Sequence, residues 1–288
     1  SKLFKPRPWW EAQGYVADEY GRWLKGAWKE RTAKSAAPPE AKRHTLAPGV
    51  ILSQDKTKWI HEKEIEDVAL PLYEGRMIGQ FDFSQKGWMK GKGRSAEWRE
   101  IPWEEKVFEP QYLIEEKLVR KNETIPENSI VFMDICSATN IRTMYSTFKK
   151  YYPAGHTAPT FSNVNENNLL SMISVFNSYV YDYLLRVRVG GVHLTLNFLN
   201  ETSLPKITEE SVLFPIVTKL CNPSILFSKT WLLFTSKKRN WKQNWSLTII
   251  DRLRLRCILD AIVAELYHLE YSDLSWILRD CDQPADFY

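Results

Sequence analysis

Apolar and polar positions change period along the chain. Between Arg76 and Phe83, Met77, Phe81 and Phe83 share one parity, and Arg76, Gln80 and Asp82 share the other. That alternation predicts a half-buried strand with a polar face. Gln111 to Val119 and Ser129 to Ile135 also read as strands. From Asn167 the spacing becomes three or four, through Leu169, Ile173, Phe176, Val180, Leu184 and Val187. This predicts one amphipathic helix, capped by Asn165 or Asn167 and stopped by Gly190-Gly191. Val192, Leu194, Leu196 and Phe198 then alternate with His193, Thr195 and Asn197, which predicts a further strand.

Trp23 to Lys34 reads as a short helix, broken by Ser35-Ala36-Ala37-Pro38-Pro39. Thr208 caps a helix with Glu209 and Glu210 in its first turn, where acids suit the dipole. Ile250, Leu253, Cys257, Ala261 and Ala264 mark a long helix, and Ser272-Asp273 starts a final short one. Strands and helices do not alternate strictly, so the expected class is α+β: a mixed sheet region with amphipathic helices and a helical C-terminal part. The expected parts are an aromatic-rich segment and linker over 1–66, an α+β domain over 67–205 and a helical part over 206–288.

Composition narrows the class. With 288 residues, 44% apolar and 26% charged, the chain can bury a real core. No apolar run of about eighteen residues exists, so no membrane span is expected. The chain does not open on a charged stretch followed by an apolar run, so a cytoplasmic protein without a signal peptide is expected. Its first residue is Ser1, which leaves room for an upstream part. The twelve tryptophans fit either a Trp-rich core or an interaction surface. Cys136, Cys221, Cys257 and Cys281 form no Cys-x-x-Cys pair and are expected as buried free thiols. The five histidines form no His-x-x-x-His pair, and no metal is expected.

Charge has a location. Residues 76–99 hold six basic side chains, Arg76, Lys86, Lys90, Lys92, Arg94 and Arg99, against Asp82 and Glu97. That excess equals the net +4 of the whole chain. Phe81, Phe83, Trp88 and Trp98 are interleaved, and Gly87, Gly91 and Gly93 let a backbone approach a phosphate. Basic side chains neutralise phosphates and release counterions, so nucleic acid competes here with a plain solvated loop. A second basic run, Lys237, Lys238, Arg239 and Lys242 with Trp241 and Trp245, leads to Arg252, Arg254 and Arg256, and a solvated helix face is expected there.

Other chemistry is thinly supported. The chain lacks a P-loop, a glycine-rich dinucleotide loop and a Gly-x-Ser-x-Gly elbow. It also lacks the Asn/Asp-Pro-Pro-aromatic motif of amino-methyltransferases; Asn222-Pro223-Ser224 begins like it but stops short. Glu115-Glu116-Lys117 gives the Glu-x-Lys of metal-dependent nucleases, with Asp82 as a conceivable third group.

Several stretches together resemble one family. Leu70 to Asp82, reading Leu-Pro-Leu-Tyr-Glu-Gly-Arg-Met-Ile-Gly-Gln-Phe-Asp, is similar to a segment of large adenine-specific DNA methyltransferases. These belong to the type IIG restriction–modification group and to DISARM-type phage-defence systems. Phe132-Met133-Asp134-Ile135 with Ala138-Thr139-Asn140-Ile141-Arg142-Thr143 resembles part of their TaqI-like specificity domain. So do Asn177-Ser178 through Asp182-Tyr183-Leu184-Leu185-Arg186 with Gly190-Gly191 and His193-Leu194, and Leu259-Asp260-Ala261 through Leu266-Tyr267-His268-Leu269. The matches run in family order over roughly 70–285. Met133 stands where the family usually carries Arg, and His268 where Gly is common. The family's methyltransferase domain, with its cofactor loop and catalytic motif, is not in this chain.

The resemblance implies a target-recognition part whose partners are double-stranded DNA and a methyltransferase domain or subunit. That absent domain would flip an adenine out of the duplex and methylate it with S-adenosylmethionine; no cofactor is expected in this chain. Phosphate contacts position such a domain and side chains read base edges. Arg76, Gln80, Asn140 and Arg142 are the expected readers, Lys86, Lys90, Lys92, Arg94 and Arg99 the expected phosphate clamps, and Arg186, Arg188 and His193 further contacts around the Gly-Gly turn. The competing readings are a protein-interaction module with its tryptophans facing a partner, and a nuclease using Glu115 and Lys117.

Overall fold

The computed structural model describes residues 3–31, 40–41, 45–122, 128–137, 140–161, 165–207, 210–228 and 244–280. The chain mixes helices with antiparallel sheets, the expected α+β class. It divides into two compact units. One holds Ser1–Tyr73, Gly87–Glu100 and Val107–Ile125; the other holds Glu74–Lys86, Ile101–Lys106 and Pro126–Tyr288.

The first unit is built on a five-stranded sheet. From edge to edge its strands are Lys5–Pro6, Tyr112–Glu115, Ile65–Pro71, Trp23–Gly26 and Val16–Ala17. Neighbouring side chains on a strand face opposite sides. Trp23 therefore joins Trp10, Tyr15, Ala69 and Leu113 on one face. Leu24 joins Ile51 and Ile60 on the other. Ile51 and Ile60 come from a three-stranded sheet of Lys29–Glu30, Lys58–His61 and Val50–Leu52. Both faces of the Trp23–Gly26 strand are thus covered. It shows no apolar–polar alternation, and it is a strand where a short helix was expected. At Gly26 the register shifts, and a Cβ there would collide with the Glu64 carbonyl. A boundary at residue 66 would cut through Ile65–Pro71, whose Val68 pairs with Leu24 and whose Leu70 pairs with Ile114.

The second unit carries a three-stranded antiparallel sheet in the order Ser146–Lys149, Ser129–Phe132, Thr160–Phe161. The Glu166–Phe176 helix packs on this sheet and on the Glu210–Cys221 helix, which in turn packs on Ile249–Leu266. The C-terminal helices therefore share a core with the sheet, and no separate part begins at 206.

Several expected elements take other forms. Residues 76–83 are not a strand: Gly75–Met77 is a 3-10 turn, and Phe81 adopts a left-handed φ of 56°. Met77, Phe81 and Phe83 are buried as their parity implied, but so is Asp82, which pairs with Lys106 at 2.7 Å. Gln111–Val119 splits into the strand Tyr112–Glu115 and the helix Glu116–Asn122. The strand expected over Ser129–Ile135 ends at Phe132.

The single helix expected from Asn167 is two, Glu166–Phe176 and Tyr179–Arg186. Asn165 caps the first, and Ser178 caps the second by accepting from the Tyr181 amide. Val192 to Phe198 holds only an isolated bridge, His193 with Ile135, before the Leu196–Glu201 helix. The long helix is Ile249–Leu266 and the last is Tyr271–Asp280. Thr208 lies outside the described residues. His268 follows the long helix with a φ of 57°. Its amide donates to the Glu265 carbonyl and the Leu269 amide to that of Ala264, a left-handed helix stop that suits Gly.

Candidate nucleic-acid interface

In the first unit the basic stretch forms a hairpin. Its strand Lys86–Lys90 pairs with Glu97–Glu100, with a 3-10 turn at Gly93–Ser95. Gly91 and Gly93 both take positive φ, which L side chains rarely adopt. The tip is held from within: Trp88 Nε1 and Gln111 Nε2 both donate to the Gly91 carbonyl, at 3.1 and 3.2 Å. Ser95 Oγ donates to the Lys92 carbonyl at 2.9 Å. Arg7 lies 4.9 Å over the Trp88 ring, which fixes the base of the hairpin. A shallow cavity of about 290 Å³, lined by Pro6, Pro8, Trp88, Gly91, Lys92 and Gln111, opens beside it.

The cations of this stretch have different fates. Lys90, Lys92 and Arg94 are exposed. Lys90 reaches Glu97 at 3.3 Å, while Lys92 and Arg94 have no ion-pair partner among the described residues. Arg99 is engaged instead in a two-pronged pair with Glu109, at 2.8 and 2.6 Å. Of the glycines, Gly93 leaves open space around its backbone, whereas Gly87 is buried against Glu109. Arg76 and Lys86 belong to the second unit, Arg76 exposed and Lys86 half-buried.

In the second unit two loops are locked together. His193 bridges Ile135, the Cys136 amide donates to the Val192 carbonyl, and the Leu194 amide donates to the Asp134 carbonyl. His193 Nδ1 lies 2.8 Å from Asp134 Oδ2. Arg186 donates to the Ile141 carbonyl at 3.0 Å and to Asp182 at 2.9 Å. Arg186 is thereby brought beside the Asn140-Ile141 segment, and His193 beside Asp134 and Ile135. Asn140, Arg188 and His193 are exposed, and Arg188 donates to the Leu184 carbonyl. Interleaved with them are four aliphatic side chains that sequence reasoning missed: Ile135, Ile141, Val187 and Val192, between 46% and 65% exposed. Val187 had been placed on the inner face of a helix and Val192 on the inner face of a strand.

Two expected readers lie below this surface. Arg142 is buried; it donates to the Asn177 carbonyl at 2.7 Å and lies 4.5 Å over the Tyr179 ring. Gln80 is half-buried, donating to the same carbonyl at 2.9 Å and accepting from Arg256 at 2.9 Å. Arg142 Nη2 and both ends of the Gln80 amide are engaged inside the fold. Nearby Asp260 accepts from the Tyr179 amide at 2.7 Å. Burial pushes its carboxyl up to about 7, against the pull of Arg142 and Arg256. Arg252 is buried 3.2 Å over Trp103, and burial lowers its guanidinium to about 9. The helix face expected to be solvated is therefore turned inward at Arg252, while Arg254 is exposed. Lys237, Lys238, Arg239, Trp241 and Lys242 lie outside the described residues.

The nuclease fragment is not assembled. Glu115 ends a strand, and Lys117 sits in the following helix, paired with Asp67 at 2.9 Å. Among the described residues, no three His, Cys, Asp or Glu side chains come together as a metal-holding group. The described tryptophans mostly build core or lie half-buried, Trp9 and Trp276 being the exposed ones. Cys136 and Cys221 are buried free thiols as expected, but Cys257 is exposed on its helix; Cys281 lies outside the described residues. No helix of the described residues is long and apolar enough to cross a membrane. No family model, curated protein or solved structure matches the chain.

Proposed function

We propose that this chain binds double-stranded DNA as the target-recognition part of an adenine-specific methyltransferase, in a cytoplasmic restriction–modification or phage-defence system. The observation that carries the reading is the hairpin tip. Lys92 and Arg94 stand exposed and, among the described residues, without ion-pair partners on a turn shaped by Gly91 and Gly93, with Lys90 beside them. Free cations on a rigid tip are what a phosphate backbone selects. The sequence resemblance over roughly 70–285 supplies the identity of the polyanion. Asn140, Arg188 and His193 are the exposed polar groups placed to read bases in the second unit. Arg142, Gln80 and Arg99 instead serve the fold, through the bonds described above.

S-adenosylmethionine belongs to the partner domain in this reading. The nearest thing here to its catalytic motif, Asn222-Pro223-Ser224, has a buried Asn222 and Pro223 and lacks the aromatic. These residues do not fit that cofactor, and no step of this chain's action runs through it. The test is fluorescence anisotropy with a labelled duplex, wild type beside Lys92→Glu/Arg94→Glu. Wild type binds and the charge-reversed protein binds at least tenfold more weakly. Equal affinity of the two proteins would overturn the assignment.

A further inference from the structure

The exposed aliphatic ridge of the second unit has no task in phosphate binding. Ile135, Ile141, Val187 and Val192 stand on two loops pinned by the His193–Ile135 bridge and by the Arg186 bond to the Ile141 carbonyl. The bonds bring Val192 beside Ile135 and Val187 beside Ile141, and aliphatic side chains grouped in water favour a partner. The polar groups among them say which partner fits. Arg186 pairs with the buried Asp182, Arg188 stands exposed, and Asp134 is occupied by His193. The surface therefore joins apolar knobs to cations and one exposed amide, Asn140.

A polyanion with apolar points on its surface matches that combination. In the major groove an A·T pair presents the adenine N6 donor and N7 acceptor, which an Asn amide pairs with, and the C5-methyl of thymine, which an aliphatic side chain covers. Asn140 and Ile141 are adjacent in the chain, so one short segment offers both partners. We infer that the ridge of Ile135, Ile141, Val187 and Val192 seats thymine methyl groups in the major groove, with Asn140 on the neighbouring adenine edge. The inference rests on the duplex-binding reading and adds the base pair that is read.

Replacing thymine by uracil removes that methyl and nothing else. A randomised duplex pool is first selected on the full chain, and the most enriched duplex is then made with thymine or with uracil. The enriched sequences share at least one fixed A·T pair. The uracil duplex binds more weakly by about fourfold per covered methyl, with an unchanged salt slope. Ile141→Ala and Val192→Ala, both at exposed positions with unchanged thermal midpoints, each discriminate between the two duplexes less than wild type does. Equal binding of thymine and uracil duplexes by wild type, or enrichment without a fixed A·T pair, overturns the ridge while duplex binding stands. Absence of binding to any member of the pool would instead remove the duplex-binding reading itself.

Discussion

Asn177 and Ser146 hold each other across the second unit. The Ser146 amide donates to Asn177 Oδ1 at 3.1 Å, and Asn177 Nδ2 donates to the Ser146 carbonyl and hydroxyl at 3.0 and 2.9 Å. A side-chain amide thus stands in for a strand partner, at the junction between two helices. Its own carbonyl accepts from Arg142 and Gln80. Asn177 and Ser146 are both fully buried. Asn177→Ala leaves the Ser146 amide unpaired in the core, while the Ser146 carbonyl keeps the Phe81 amide, so it should cost about 1–3 kcal/mol. The midpoint of urea unfolding, compared with wild type, measures this.

His268 occupies a left-handed conformation that L side chains pay to enter. His268→Gly should therefore stabilise the chain by about 0.5–1 kcal/mol, after the flexibility that Gly adds to the unfolded state is counted. Thermal denaturation shows this as a raised midpoint. A lowered midpoint would mean that the His268 ring contributes more than its backbone costs.

The existence of the Ile249–Leu266 helix was legible from spacing, and Asn165 is one of the two caps expected for Glu166–Phe176. The inner face of the long helix was not legible: Ile250, Cys257 and Ala261 of the expected stripe are exposed, and Arg252, Leu259, Asp260 and Val263 are buried with Ala264. The break at Asn177-Ser178 was not legible, because Phe176 and Val180 keep helical spacing across it while Ser178 restarts the helix with a cap. Trp23–Gly26 was missed because both its faces are covered, which erases alternation. Of the site, the exposed cations Lys90, Lys92 and Arg94 were readable from charge and glycine. The fate of Arg99 and Arg142 was not, since it depends on Glu109 and Asn177, residues distant in the chain. Nor was the aliphatic ridge: an exposed valine carries the same letter as a buried one.

Asp260 makes stability depend on pH. Its ordinary carboxyl value is near 3.9, and burial raises it to about 7 in the folded chain, where Arg142 and Arg256 oppose the shift and Asp182 adds to it. Between those values the folded state holds a proton that the unfolded state releases. The contribution is complete below about pH 4 and is lost as pH rises through 7. Asp260→Asn, which keeps an acceptor for the Tyr179 amide, should show less loss of stability between pH 5 and 8 than wild type. Urea midpoints at the two pH values give the comparison. Parallel pH dependence in both proteins would contradict it.

Gly91 sets the shape of the basic hairpin. Its φ is 84°, and a Cβ there would run into the Ser95 carbonyl. Gly91→Ala should cost more than about 1 kcal/mol. It should also weaken duplex binding without removing any charge. Gly93→Ala, at a position with a positive φ but open space, should do less on both counts. Thermal midpoints and duplex titrations of the two variants, run side by side, check this order.

The central claim is that the hairpin tip grips phosphates, and its salt dependence is the direct measure. Each phosphate contact on duplex DNA adds about 0.9 to the slope of log affinity against log salt. If Lys90, Lys92 and Arg94 each make one contact, replacing all three by alanine flattens that slope by about 2.7. Duplex titrations of both proteins across a range of salt concentrations give the two slopes. A flatter slope in the variant, by two to three, is the predicted result. Identical slopes, or no duplex binding by wild type at about 50 mM salt, would contradict the account.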